Sequence, residues 1–363
     1  MQQRSMAITC GRSGLLCLAC LGVSLTPARL SAQQGLPPLP VYRGARVALA
    51  GIDLAAVGRG EPAIQMLDGG DPRVVAVFGL VAIAVPRSFF AARVADFVES
   101  LHSNGRGQHG LFALPATPAD AASLALSPAD LSGLRKCRPG SCEFKIPASE
   151  MSRVATILDS AGPGGPSEVS RYARKRAADL VNEYRERGNA AMTVYDDFGT
   201  TGVKGSEAFS ALLLAAQPYL SQVGAPLQEY LSSYPRKRPE GAKDAIFWMR
   251  EDVQGMRPTV SINHLIVYSA SSRPQATVAV TKQVFADHYF EGALDVYVAS
   301  ARTDVPRGEG VYLILLRQYR FDHLPAGIIN VRGRVRTKVR ERAEADLRRL
   351  RAEFQAAWTS RKP

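Results

Sequence analysis

The sequence has few of the residues that most often carry chemistry. It contains five histidines and five cysteines in 363 residues. No two histidines stand two or four positions apart, so the local spacing that holds a metal ion on one strand or helix face is missing. GxxxxGKS, GxxxxGKT, GxSxG and HExxH are also missing, and P-loop enzymes, α/β-hydrolases and zincins are therefore not indicated.

One glycine-rich segment, Gly105 to Gly110, matches the pattern GxGxxG. In dinucleotide-binding proteins these glycines lie between a strand and the helix that follows it. Here they follow a predicted helix, and we interpret the segment as a loop.

Long apolar runs are scarce as well. The longest, Val74–Val85, has twelve residues, whereas a membrane-spanning helix needs about 20. The mature chain is therefore expected to be soluble or peripheral. With 46% hydrophobic residues the chain has enough apolar surface for a packed core, which excludes general disorder.

The N-terminus carries no acidic residue before Asp53 and resembles an export signal. Arg4 and Arg12 precede a mostly apolar stretch, and small residues at 31–32 fit cleavage near Ala32. We expect a periplasmic or secreted protein. The alternative is a lipoprotein anchored at Cys20, although Cys17 is unusual at the third position before it.

Only Cys137 and Cys142 follow the signal, and a Pro-Gly turn lies between them. This turn brings the thiols together, so export predicts a disulfide. A metal site would need two more nearby ligands. A redox pair would depart from the Cys-x-x-Cys spacing.

Hydrophobic periodicity predicts an α+β fold. Val74–Val85 is a strand or a hairpin bent at Gly79, and Pro86 opens a helix. After Pro258 the period changes to two, which predicts an antiparallel β-meander that packs on a long C-terminal amphipathic helix. The predicted strands are Thr259–Tyr268, Ala276–Phe285, Ala293–Ala301 and Gly310–Arg320, and the helix begins near Ile328.

The predicted organisation has five segments. The first two are a signal peptide (1–32) and an extended lead-in (33–70). The third (71–160) contains a strand, a helix and the cysteine turn, with a short strand at Glu143–Ile146. The fourth (161–257) is helical and begins with a flexible linker at 160–166, and the fifth (258–363) is the sheet with its terminal helix. Residues 71–363 are expected to form one compact unit.

Two polar residues are predicted to lie on the apolar faces of their strands. Lys282 shares a face with Val278 and Val280, and His264 shares one with Ile262. A lysine on an apolar face is costly unless it lines a wet cavity, meets a carboxylate or reaches an edge. The alternatives are a hydrogen-bonded core histidine and a lysine on a solvated face. Further candidates, grouped near one strand connection, are Asp287, His288, Tyr289 and Asp295.

The order of elements resembles the helix-grip layout of START-like (SRPBCC) domains. That resemblance implies a curved sheet around a C-terminal helix, with a cavity for a lipid or another hydrophobic ligand. The segments Lys282–Phe290 and Arg135–Cys142 are also similar to exported bacterial proteins without an assigned function.

The sequence-level hypothesis is therefore an exported protein that binds a lipid-like or other hydrophobic small molecule between the sheet and the C-terminal helix, without a cofactor or metal. Lys282 and His264 anchor the ligand, and His288, Tyr289 and Asp295 lie near it. One alternative is an enzyme in which Lys282 or His288 works with Asp287 or Asp295 in acid–base chemistry. The other is an envelope scaffold whose basic terminal helix contacts an anionic membrane; export makes nucleic acid an unfavoured partner.

Overall fold

The structure is a computed structural model that describes residues 51–68, 70–94, 108–220, 225–251, 257–269, 276–302, 305, 310–322 and 331–361. The predicted signal peptide, Cys20, the first part of the lead-in, and His102 and His323 lie outside these residues. Among the residues that the structure describes, no helix is both long enough and apolar enough to cross a membrane.

An eight-stranded antiparallel sheet organises the chain, in the order β1-β2-β10-β9-β8-β7-β6-β3. A separate two-stranded ribbon joins β4 and β5. The strands are β1 (Ala63–Leu67), β2 (Val74–Ile83), β3 (His109–Leu111), β4 (Val194–Tyr195), β5 (Val203–Lys204), β6 (Lys243–Glu251), β7 (Thr259–Ser269), β8 (Ala276–Ala286), β9 (Phe290–Ala301) and β10 (Val311–Phe321).

Eight α-helices are described besides short 3₁₀ turns. They are α1 (Leu54–Gly58), α2 (Arg87–Arg93), α3 (Pro128–Lys136), α4 (Ala148–Ser160), α5 (Gly165–Arg187), α6 (Gly205–Leu220), α7 (Ala225–Ser233) and α8 (Val331–Thr359). The α+β class is confirmed, with a helical middle segment, a β7–β10 meander and a long C-terminal helix.

Helix α8 covers one face of the sheet, which we call the α8 face. Its apolar stripe, Val339, Ala343, Leu347, Leu350 and Phe354, is buried against alternate residues of β2 and β10. Gly79 lies within β2, where it pairs with Ile64 and Leu315, and a Cβ there would stand 2.8 Å from Leu347 Cδ1. Val74–Ile83 is one strand. Of the two predicted alternatives the strand is therefore confirmed, and the hairpin bent at Gly79 is wrong.

The helical middle segment covers the opposite face, which we call the α6 face. Helix α6 packs on β8, β9 and β10 from this side. The sheet thus has helices on both faces, and both faces of β2 are buried along its whole length.

Three predicted segments differ in the structure. The linker at 160–166 is a 3₁₀ turn, Gly162–Gly164, that leads directly into α5, since proline is tolerated in a first helical turn. Residues 243–251 form β6 rather than part of a helical segment, because they pair along their length with β7. The lead-in contains α1, which Asp53 caps, and the edge strand β1.

The short strand predicted at Glu143–Ile146 is also wrong. These residues have no regular secondary structure. The Lys145 amide instead donates to the Asp287 carbonyl, and Lys145 Nζ lies 3.1 Å from Asp197. A buried ion pair, rather than a strand ladder, holds this segment.

Candidate functional site

The cysteine pair forms the expected disulfide. Cys137 and Cys142 are joined with an S–S distance of 2.03 Å. The turn between them is closed by hydrogen bonds between Arg138 and Ser141. The disulfide thus fixes the chain between α3 and α4.

Lys282 and His264 lie on the α6 face, not under α8. They stand directly opposite each other in the β7–β8 register, and both side chains are fully buried. The predicted phase of each strand is therefore correct. The expectation that both line a pocket next to the C-terminal helix is wrong, because the helical middle segment covers the face on which they lie.

An aromatic cage surrounds the Lys282 ammonium group. Lys282 Nζ lies 4.4 Å from the Phe209 ring centre, 4.8 Å from that of Tyr184 and 5.5 Å from that of Tyr234. It donates a hydrogen bond of 2.5 Å to Asn189 Oδ1. Burial lowers the pKa of Lys282 to about 7, and the neutral Asn189 acceptor does not offset the cost of burying the charge.

His264 belongs to a buried polar chain on the same face. Its Nδ1 is 2.9 Å from the Tyr184 hydroxyl, and its Nε2 is 3.4 Å from Asp244 Oδ1. Tyr230 donates to the other Asp244 oxygen at 2.8 Å. Burial lowers the pKa of His264 to about 4, against the opposing effect of Asp244. The imidazole is therefore neutral at pH 7 and cross-links the sheet to the helices.

His288 and Tyr289 lie in the turn between β8 and β9. His288 Nδ1 is 2.7 Å from the Glu143 carbonyl, and the ring packs on Phe144 at 4.5 Å. The Tyr289 hydroxyl accepts a hydrogen bond from the Arg257 amide at 2.8 Å. Both residues thus hold neighbouring segments, and neither joins Lys282.

Asp295 lies on the α8 face, where it pairs with Arg317. Arg317 Nη2 is 2.8 Å from Asp295 Oδ2, and Nη1 is 2.9 Å from Asp346 Oδ2 of α8. The structure therefore separates the five predicted site residues into three places. Arg317 was not predicted as a site residue. It shares a strand face with Leu313 and Leu315, and a charged residue on an apolar face is the same feature that identified Lys282.

A polar cleft surrounds this ion-pair network between α8 and the sheet. Its volume is about 90 Å³. Hydroxyl, amide and charged groups from five strands point into it, beside three aromatic rings. The lining is Phe247, Met249, Glu251, Thr259, Ser261, Asn263, Thr281, Gln283, Phe290, Ala293, Asp295, Arg317, Tyr319, Arg342 and Asp346.

An apolar cavity lies on the other side of the sheet, between its α6 face and helices α3 to α5. Its volume is about 150 Å³. Most of its wall is aliphatic or aromatic: Leu124, Leu126, Leu134, Phe144, Ile146, Pro147, Val154, Val169, Ala173, Ala177, Leu180, Trp248, Val260, Ile262 and Phe285. Three helices, three strands and several loops contribute, so no local pattern in the sequence marks this cavity.

Polar groups occur at a few places in the apolar wall. Asp287 is buried, and its Oδ1 accepts from the Val260 amide at 2.8 Å. Burial raises the pKa of Asp287 well above its usual range, which favours the neutral acid. Tyr172 donates to Glu150 at 2.5 Å, Arg176 lies 2.8 Å from the same carboxylate, and burial with Glu150 raises the pKa of Tyr172 to about 12.

No group of three or more His, Cys, Asp or Glu side chains within the described part of the chain is arranged to hold a metal ion. No model of a known protein family matches the chain. No curated protein matches its sequence either. The two cavities are therefore the candidate ligand sites.

Proposed function

We propose that the protein binds a small hydrophobic molecule, and that it does so in the apolar cavity between α3, α4, α5 and the sheet. The observation that carries the proposal is the volume of about 150 Å³ with a mostly aliphatic and aromatic wall. Apolar pockets with a few placed polar groups are the usual form of small-molecule sites.

The volume limits the part of the ligand that lies inside the cavity. An apolar cavity of about 150 Å³ accepts one benzene-sized group. A complete lipid chain is much larger than this. We therefore expect the part inside the cavity to be one ring or a short branched hydrocarbon group.

The polar groups in the wall favour a ligand with one hydrogen-bonding end. The buried Asp287 carboxyl is favoured as the neutral acid and so can donate to a carbonyl or hydroxyl oxygen. The Glu150, Tyr172 and Arg176 group offers a second polar contact whose side chains are partly exposed. A phenol or a similar small molecule matches both the wall and these groups.

We also propose that this binding takes place after export from the cytoplasm. The Cys137–Cys142 disulfide supports an oxidising compartment, where such bonds persist. The N-terminal segment supplies the export signal in this proposal, by cleavage near Ala32 or, alternatively, lipidation at Cys20.

Titration calorimetry with phenol tests the cavity. Wild-type protein is expected to bind one phenol per chain with a dissociation constant of about 1 mM or lower. Ala177 lines the cavity, so Ala177→Leu fills part of it and is expected to weaken binding at least tenfold. Ala215 is exposed on α6, and Ala215→Leu, which adds the same side chain there, is expected to bind as wild type does.

Thermal unfolding of both variants establishes that they fold. A folded Ala177→Leu protein that binds phenol as tightly as wild type would contradict the proposed site. Wild-type protein that binds no phenol at 20 mM would contradict the proposed size and chemistry of the ligand.

A further inference from the structure

The polar cleft under α8 contains two buried polar atoms without a partner among the described residues. They are Asp295 Oδ1 and Thr281 Oγ1. Thr281 and Asp295 are direct cross-strand neighbours in β8 and β9, and both line the cleft. Buried polar atoms in native proteins are nearly always hydrogen-bonded, so two adjacent exceptions at one cavity need an explanation.

The buried cation of the cleft, Arg317, is already bound to carboxylates. Arg317 Nε and Nη2 hold Asp295 Oδ2 at 2.9 and 2.8 Å, Nη1 holds Asp346 at 2.9 Å, and Nη2 also donates to Tyr297 at 3.0 Å. Four of the five Arg317 donors are thus engaged. An anionic ligand could bind Arg317 only by displacing one of these carboxylates.

The free oxygen of Asp295 favours a ligand that donates a hydrogen bond. The ion-pair network contains three carboxylates, from Glu251, Asp295 and Asp346, and three guanidinium groups, from Arg317, Arg342 and Arg349, of which Arg349 lies 3.4 Å from Asp346. The network is therefore balanced in charge, and Asp295 Oδ1 is a carboxylate oxygen without a donor among the described residues. The Phe247, Phe290 and Tyr319 rings also line the cleft, and aromatic faces attract ammonium groups.

We propose that the polar cleft binds a small ammonium compound with a hydroxyl group on the neighbouring carbon. The ammonium group donates to Asp295 Oδ1, and the hydroxyl group pairs with Thr281 Oγ1. The cleft volume of about 90 Å³ limits the part inside it to about four non-hydrogen atoms. This site is separate from the apolar cavity, because the two lie on opposite faces of the sheet.

NMR titration with three probes of equal size tests the ligand class. Ethanolamine carries the ammonium group, ethylene glycol replaces it by a hydroxyl, and glycolate replaces it by a carboxylate. Ethanolamine is expected to bind at least tenfold more tightly than either other probe at pH 7, with saturable shifts at the Thr281, Asp295 and Arg317 amides. Glycolate binding of equal strength, or shifts elsewhere only, would overturn the proposal.

Two matched variants separate binding from folding. The Thr281 hydroxyl has no partner in the described part of the chain, so Thr281→Val is expected to leave the melting temperature unchanged or higher while weakening ethanolamine binding at least fivefold. Thr277 lies on the same strand and face, and its hydroxyl is 3.0 Å from that of Ser269. Thr277→Val is therefore expected to lower the melting temperature and leave binding unchanged. Equal ethanolamine affinity in Thr281→Val and wild type would overturn the proposal even if the phenol experiment succeeds.

Discussion

The Lys282 ammonium group is held by aromatic rings and the Asn189 amide oxygen, and no carboxylate of the described residues pairs with it. Burial disfavours its charged form. Between pH 7, near its folded pKa, and about 10.5, its unfolded pKa, the unfolded chain binds more protons than the folded chain. Lys282 thus makes the free energy of unfolding rise with pH across this window, and its burial costs the most below pH 7.

Replacing this lysine by an apolar side chain of similar length should stabilise the fold. We expect Lys282→Met to raise the free energy of unfolding by about 2 kcal/mol at pH 6, because the desolvation cost is removed. The difference from wild type should shrink by pH 9. Urea unfolding at pH 6, 7.5 and 9 measures this. A variant that is less stable than wild type at all three pH values would contradict the conclusion that burial of the Lys282 ammonium group lowers the free energy of unfolding.

The phase of Lys282 and His264 could be predicted from the sequence, since a strand turns alternate residues to one face. The layer that covers this face could not, because α5 and α6 reach Lys282 through contacts between distant segments, such as the one with Asn189. For the same reason the apolar cavity could not be predicted. Arg317 could have been identified from strand alternation in the same way. Its pairing with Asp346 of α8 could not, because the two residues lie on different elements.

At the scale of elements, Gly188 fixes where α5 ends. Its φ is +63°, and a Cβ there would lie 1.6 Å from the Tyr234 carbonyl oxygen. Gly188 therefore allows the chain after α5 to pass close to the end of α7. This helix end has a local signal in the sequence, because glycine commonly terminates helices.

We expect Gly188→Ala to lower the free energy of unfolding by at least about 3 kcal/mol, or to prevent folding, because both the backbone angle and the contact exclude a side chain. Gly164 has ordinary helical angles and open space around it. Gly164→Ala is therefore the control and should change stability by less than about 1 kcal/mol. Urea unfolding of both variants tests this, and equal stability of the two would contradict the close approach.

The elements that sequence predicts well are those with strong periodicity or a local cap. The β7–β10 strands alternate clearly, and Ser127 is a residue type that commonly caps helices. Its side chain caps α3 by accepting from the Asp130 amide at 3.1 Å. Strand β6 was missed because an apolar run such as 245–249 fits a buried helix as well as a strand. The turn at 162–164 was missed because glycine and proline predict flexibility locally, whereas packing of α4 on α5 determines its structure.

At the scale of the whole molecule, one sheet separates two cavities of different chemistry. The apolar cavity lies against the helical middle segment, and the polar cleft lies against α8. The sequence-level hypothesis placed a hydrophobic ligand next to α8, where the described lining is mostly polar. The START-like resemblance stays a prediction, because no family model matches the chain.

Organic extraction and mass spectrometry of the protein purified from its own host test the role of the apolar cavity most directly. Wild-type protein is predicted to release one small molecule with a ring or branched hydrocarbon group, in an amount close to one per chain. The folded Ala177→Leu variant is predicted to release much less. Equal amounts from both proteins, or no such molecule from wild type, would contradict the claim that the apolar cavity is the ligand site.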